Sequence, residues 1–181
     1  MSYRRITDTW NLARSKVKFF GVYPSGFLSI ARALLGVNCT DRVPHVCSGK
    51  VREYPYEGFG PNDVTFDLDA ALTPDIVGDA NELADYECSL ERYSDIKAIL
   101  ADPPYSEDGA DNYSPSRRKF PNVNTIIRNA IEVLPPGGKV GVLPLHWPRY
   151  PKDKAKQVAL AGVYVGNGDV GRTYAVFEKI A

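Results

Sequence analysis

The chain has 181 residues, 44% of them hydrophobic, which is enough for one domain with its own core. Its 22 Lys/Arg balance 22 Asp/Glu, no apolar run reaches membrane-spanning length, and no charged start followed by an apolar stretch suggests a signal peptide. Three cysteines without CxxC or metal-ligand spacing fit a reducing cytoplasm, and His45 and His146 are too scattered for a metal centre.

Charge is distributed unevenly along the chain. Residues 1–52 hold nine Lys/Arg and two Asp/Glu, residues 53–111 two and sixteen, and residues 112–181 eleven and four. An acidic middle suits a cationic cofactor with ribose hydroxyls to hold, and basic flanks suit a polyanion outside. The same blocks also fit a surface that balances once folded.

Residues 3–20 read as a basic amphipathic helix or arm, with Trp10, Leu12, Ala13 and Val17 on its apolar side. Ser25 is the expected N-cap of a helix ending at Leu35, with Gly36 as its stop. Phe27, Leu28, Ala31, Leu34 and Leu35 form its buried stripe. Residues 44–49 read as a short strand breaking into a glycine turn. Residues 63–69 and 75–80 read as two further strands, each ending in carboxylates. The apolar run Ile96 to Ala101 is a fourth, buried and parallel.

A helix over 123–133 stops at Pro135-Pro136-Gly137-Gly138, and 139–145 is a fifth strand. Residues 157–165 and 173–180 form a hairpin around Gly166-Asn167-Gly168-Asp169. This pattern predicts a single α/β domain over 1–181, with an open, mostly parallel sheet and a C-terminal antiparallel hairpin. Ligands in such sheets bind at the carboxyl ends of the strands. Gly49, Asp67, Asp79 and Asp102 all fall at such ends.

The fourth strand ends in Asp102-Pro103-Pro104-Tyr105, which resembles motif IV of the amino-methyltransferases. These enzymes use S-adenosylmethionine (SAM) to methylate an exocyclic or amide nitrogen, most of them adenine N6 or cytosine N4 of DNA. The residue types suit that chemistry. An adenine amine is a poor nucleophile because its lone pair is delocalised. Two acceptors aimed at its N–H bonds favour the change toward sp³ geometry, and Asp102 and the Pro103 carbonyl can supply them. Pro103 and Pro104 stiffen the segment, and Tyr105 offers a flat face to an extruded base. The bland reading is a strand that stops at a Pro-Pro turn.

The resemblance covers residues 19–181 as an ordered series, with a Rossmann-like fold implied. Cys47-Ser48-Gly49 is similar to motif I, the turn that approaches the methionine part of SAM, although the family usually has more glycines there. Asp67 is similar to the motif II acid that accepts from the ribose hydroxyls. Asp69 shares its face of the strand and is the other candidate. Asp79-Ala80 resembles motif III, near the SAM adenine, and Asp79 also fits a helix N-cap. The segment 21–27, with Tyr23 and Phe27, resembles motif X near the methionine; its aromatics equally fit a core.

Residues 106–121 make a candidate substrate-gripping loop that includes Tyr113, with the basic cluster Arg117, Arg118 and Lys119 as phosphate contacts or as an ordinary solvated surface. No separate target-recognition domain is visible. The resemblance therefore implies a small, phage-type DNA adenine-N6 methyltransferase with short sequence recognition, or with recognition supplied by a partner chain. The alternatives are an RNA amino-methyltransferase acting on adenine or guanine N2, and an inactive SAM- or nucleic-acid-binding subunit.

Overall fold

A computed structural model describes residues 4–14, 23–53, 58–86, 95–105, 120–166 and 171–180. Its strands are β1 (Ile6–Leu12), β2 (Pro44–Val46), β3 (Val64–Asp67), β4 (Ile76–Val77), β5 (Ala98–Ala101), β6 (Lys139–Val142), β7 (Ala155–Val165) and β8 (Arg172–Lys179). They form one sheet in the order β1-β7-β8-β6-β5-β2-β3-β4. β8 runs antiparallel to β6 and β7, and every other pairing is parallel. This is the Rossmann-like α/β sheet with a closing antiparallel hairpin that the sequence predicts.

Side-chain alternation along the strands divides the core between the two faces of the sheet. Ile99 and Ala101 of β5, Val140 and Val142 of β6, and Ala175 and Phe177 of β8 face one side. There they meet α2 (Val123–Val133) through Ile126, Ile127, Ala130 and Ile131. Ala98, Leu100, Ala161, Val163, Tyr174 and Val176 face the other side. There they meet Phe27, Leu28, Ala31 and Leu35 of α1 (Phe27–Leu35). β5 is apolar on both faces, as a central parallel strand must be.

Two local expectations are corrected. Residues Ile6–Leu12 are a strand and not a helix, paired parallel to β7 from Ile6↔Ala159 to Leu12↔Val165. Ile6, Thr7 and Thr9 favour extended backbone, and only Trp10 in this strand is buried. Ser25 does not cap α1. Its N–H donates to the Ala13 carbonyl at 3.1 Å, and left-handed Gly26 takes the cap position without a side-chain hydrogen bond. The expected stop at Gly36 holds, because its φ of 72° lets its N–H return to Ala33 and Arg32 carbonyls.

α1 is tied to the sheet by a buried polar cluster. Arg32 Nη1 reaches both carboxylate oxygens of Asp63, at 3.0 and 2.8 Å. Asp63 also accepts from the Val43 N–H at 3.0 Å and the Gly60 N–H at 2.7 Å, and faces His45 Nε2 at 3.1 Å. Despite its burial, these partners hold the Asp63 carboxyl below its ordinary range, the His45 hydrogen bond foremost.

α2 begins at Asn122, whose side chain accepts from the N–H groups of Asn124 and Thr125. Asn81 clips this helix to the short helical turn Ala80–Tyr86, accepting from Asn122 N–H at 2.7 Å and from Asn129 Nδ2 at 2.7 Å. Among the described residues, no helix is long and apolar enough to cross a membrane, and no cluster suits a metal ion.

Candidate functional site

Strand order reverses between β2 and β5, the adjacent strands at the centre of the sheet. Chain segments leave their carboxyl ends in opposite directions, which opens a crevice there. The turn after β2 and the segment after β5 are its two walls.

The first wall is Cys47-Ser48-Gly49. Cys47 has φ 56° and Gly49 φ 52°, so the turn includes a left-handed non-glycine residue. Such backbone costs energy and persists only where its surroundings fix it. Here the Ser48 N–H donates to the Phe66 carbonyl at 3.2 Å, and the Gly49 N–H donates to Asp67 Oδ2 at 2.8 Å. Asp67 Oδ1 accepts from the Asp69 N–H at 3.0 Å. Asp67 therefore fixes the turn after β2 to the end of β3. Burial raises its carboxyl above the ordinary value despite these hydrogen bonds. Asp69 is turned to another task, capping Ala70–Leu72 through the Ala71 N–H at 2.9 Å.

Three acids converge on this wall. Burial pushes the Cys47 thiol up, and the charges of Asp67, Asp102 and Asp79 push it further. Asp79 accepts from the Asn81 N–H at 2.8 Å, so it caps Ala80–Tyr86 while its charge acts on the Cys47 thiol; Ala80 beside it is buried. The negative charges come from three strand ends, β3, β4 and β5. A cation bound among them is stabilised by all three.

The second wall is Asp102–Tyr105. The Asp102 N–H donates to the Val46 carbonyl at 3.2 Å, which ties this segment to β2. Burial raises the Asp102 carboxyl to about 6, against the lowering effects of Arg172 and of the Tyr105 hydrogen bond. The Tyr105 hydroxyl donates to Asp102 Oδ1 at 2.8 Å. Arg172 in turn donates to the Tyr105 hydroxyl, with its guanidinium carbon 4.9 Å from the ring centroid. Pro103 is buried and Tyr105 is 40% exposed.

Tyr23 lies close to both walls, within reach of the charges of Asp102 and Cys47. It is buried, stacks on Phe27 at 5.2 Å, and its hydroxyl is pushed up by burial and then by Asp102 and Cys47. Phe27 is fully buried between Tyr23, Trp10 and Tyr174, so it presents no surface to the crevice.

The structure thus brings together Tyr23, Cys47, Ser48, Gly49, Asp67, Asp79, Ala80 and Asp102 to Tyr105. It assigns Phe27 to the core and Asp69 to a turn. Tyr113, Arg117, Arg118 and Lys119 lie outside the described residues, as do residues 106–119 of the expected substrate loop. Arg172 was not anticipated. The available signal was a lone arginine opening the last strand, whose antiparallel course returns its first residue to the crevice end of the sheet.

No protein-family model matches the chain, and no curated protein matches it. Solved structures do resemble it. TrmN from Thermus thermophilus superposes with TM-score 0.56 at 20% identity, over 84% of this chain and 48% of that one. A proposed SAM-dependent methyltransferase from Streptococcus mutans gives 0.48 at 14% identity, over 87% and 50%. An rRNA methylase from Streptococcus thermophilus gives 0.44 at 9% identity, over 88% and 100%. The chain spans about half the length of the first two. At these identities the likeness is one of fold.

Proposed function

We propose that this chain is a SAM-dependent methyltransferase acting on the exocyclic N6 amine of adenine in DNA. The observation that carries this reading is Asp102, a buried carboxylate at the switch point, with Pro103, Pro104 and Tyr105 following it. With its carboxyl at about 6, Asp102 is ionised at neutral pH and serves as an acceptor for an amine N–H.

The residues present fit SAM. Three carboxylates surround the Cys47 turn, which suits a cation carrying hydroxyls and an amine. Ser48 Oγ is buried without a hydrogen-bond partner among the described residues. Asp67 would take the ribose, Asp79 and Ala80 the adenine, and Cys47 to Gly49, beside Tyr23, the methionine part. When bound, SAM supplies an electrophilic methyl on a positive sulfur.

The chain's own residues hold the amine. Asp102 and the Pro103 carbonyl accept from its two N–H bonds, which localises the nitrogen lone pair. Tyr105 supports the ring of the base, and burial around Tyr23 and Pro103 keeps water from the carboxylate. The basic residues 117–119 are proposed to hold the phosphate backbone, and a partner chain is proposed to supply sequence recognition beyond what this chain reads.

The test is incubation with labelled SAM and DNA, RNA or protein, followed by digestion to name the modified group. N6-methyladenine from DNA is expected. Transfer only to RNA makes the chain an RNA amino-methyltransferase. SAM binding with no transfer to any substrate makes it a binding subunit.

A further inference from the structure

Arg172 opens β8, the strand that runs antiparallel to β6 and so begins where β5 and β6 end. The Thr173 N–H donates to the Pro144 carbonyl at 2.9 Å, which fixes the start of β8 beside the exit of β6. The arginine side chain is only 18% exposed and that of Asp102 7%. A surface arginine extends into water. This one lies over the Tyr105 ring, donates to its hydroxyl, and holds Nη1 3.9 Å from Asp102 Oδ1.

The three contacts fit one another. A guanidinium is flat and carries several in-plane N–H donors, so it can stack on a ring and still hydrogen-bond at its edge. Lysine offers the charge without the plane. Tyr105 is held from two sides, by Arg172 and by Asp102, yet remains 40% exposed for an incoming group.

We propose that Arg172 is a positioning residue for methyl transfer: from the start of β8, two strands beyond β5, it pins Tyr105 to Asp102, setting both the ring that receives a planar base and the carboxylate that receives its amine. The proposal rests on the methyltransferase reading above. An amine approaching Asp102 meets the Tyr105 hydroxyl already on Oδ1, so it must share or displace that hydrogen bond. Arg172 keeps a donor on the phenol oxygen in either case. Among the described residues, Asp102 interacts with Tyr23 ahead of α1, Cys47 after β2, Tyr105 on its own segment and Arg172 on β8, and shares Cys47 with Asp67 and Asp79. Among these Arg172 is the cation.

Two measurements on wild type, Arg172→Met and Arg172→Lys test this. The first is a carboxyl carbon NMR titration of the folded protein, with the Asp102 signal assigned by its loss in Asp102→Asn. The Asp102 midpoint should rise in Arg172→Met and stay near wild type in Arg172→Lys. The second is kcat/KM for DNA alongside SAM affinity. Both variants should lose roughly 10- to 100-fold in kcat/KM, the range for a hydrogen bond involving a charged group, with SAM affinity unchanged.

A wild-type midpoint together with wild-type kcat/KM in Arg172→Met overturns the proposal. If Arg172→Met does not fold, Arg172→Lys decides through kcat/KM: loss upholds it and wild-type values overturn it. If wild type itself transfers no methyl group, the methyltransferase reading fails, and the titration still decides whether Arg172 acts on Asp102.

Discussion

The Tyr105 hydroxyl folds back three residues to donate to Asp102 Oδ1 at 2.8 Å. The ring proposed to receive a base and the carboxylate proposed to receive its amine are therefore one hydrogen-bonded unit. The unit is stiffened by Pro103 and Pro104 between them, since each proline fixes its own φ and biases the residue before it toward extended backbone.

Tyr105→Phe keeps the ring and removes the donor. The Tyr105 hydrogen bond lowers the Asp102 carboxyl, so its loss moves that group upward from about 6. The acid limb of the pH–rate profile should shift to higher pH, while kcat/KM at pH 8 falls roughly 10- to 100-fold, as in Arg172→Met, because the hydroxyl that Arg172 holds is gone. Tyr105→Ala also removes the stacking face and should weaken productive DNA binding by a further 1–3 kcal/mol, roughly. Single-turnover kinetics across pH separate the two. A Phe variant as inactive at pH 8 as the Ala variant would mean that the hydroxyl itself is indispensable.

Asp67 and Asp69 are distinguishable by their partners. Asp67 holds the Gly49 and Asp69 N–H groups and so fixes the left-handed turn after β2. Asp67→Ala should cost SAM affinity on the order of 1–3 kcal/mol, through lost ribose contacts and a loosened turn. Asp69→Ala loses the cap on Ala70–Leu72, about 1 kcal/mol of stability, with little change in SAM binding. Calorimetry on both variants checks this. The reverse order of SAM affinities would reassign the ribose to Asp69.

The sequence made the sheet legible where short-range patterns carry the information. Apolar runs ending in Asp67, Asp79 and Asp102 marked the strand ends, and the structure brings those ends together around Cys47. β1 was illegible because its identity is non-local. Its residues are mostly exposed, and the partner that makes them a strand, β7, lies more than 140 residues away in sequence. Arg172 was hidden for the same reason, since its place beside Tyr105 follows from the antiparallel return of β8. Asp69 shows a different limit. Strand period puts it on the same face as Asp67, but the chain leaves β3 at Asp67, and Asp69 begins a turn instead.

The Arg32–Asp63 pair should be the most sensitive polar contact of the scaffold. Asp63 serves Arg32, Val43, Gly60 and His45 at once. Asp63→Ala leaves a buried guanidinium unpaired and should cost about 3–5 kcal/mol by denaturant unfolding. Because the Asp63 carboxyl is held below its ordinary range, its contribution is present at neutral pH and is lost as pH falls through its folded value. The gap between wild type and Asp63→Ala should therefore narrow in acid. A gap that persists unchanged at low pH would mean that packing, not charge, accounts for the loss.

Tyr174 and Gly141 fit each other on one face of the sheet. A Cβ on Gly141 would collide with the Tyr174 hydroxyl, which is buried without a hydrogen-bond partner among the described residues. Tyr174→Phe should be neutral or stabilising by about 1 kcal/mol, because it removes an unsatisfied polar group. Gly141→Ala should destabilise by about 1–3 kcal/mol through overpacking, and less so in the Tyr174→Phe background. Thermal melts of the two single variants and the double variant measure the coupling. Additive effects would mean that the two residues do not meet.

Asp102 should trade stability for function. Its folded carboxyl lies at about 6, against an ordinary value of 3.8. Between those values the unfolded chain has released its proton and the folded chain has not, so stability falls as pH rises through this window. Above it, Asp102 ionisation costs the fold about 3 kcal/mol relative to strongly acid conditions. Asp102→Asn keeps an acceptor for Tyr105 and carries no charge. Its melting temperature relative to wild type should therefore rise from pH 4 to pH 7 and then level off. Methyl transfer should be nearly abolished while SAM binding persists, the pattern of an interaction that strengthens in the transition state. A melting difference that does not change with pH would mean that Asp102 is not buried as a charge. Wild-type turnover in Asp102→Asn would reduce the Asp102–Tyr105 segment to a strand-ending turn.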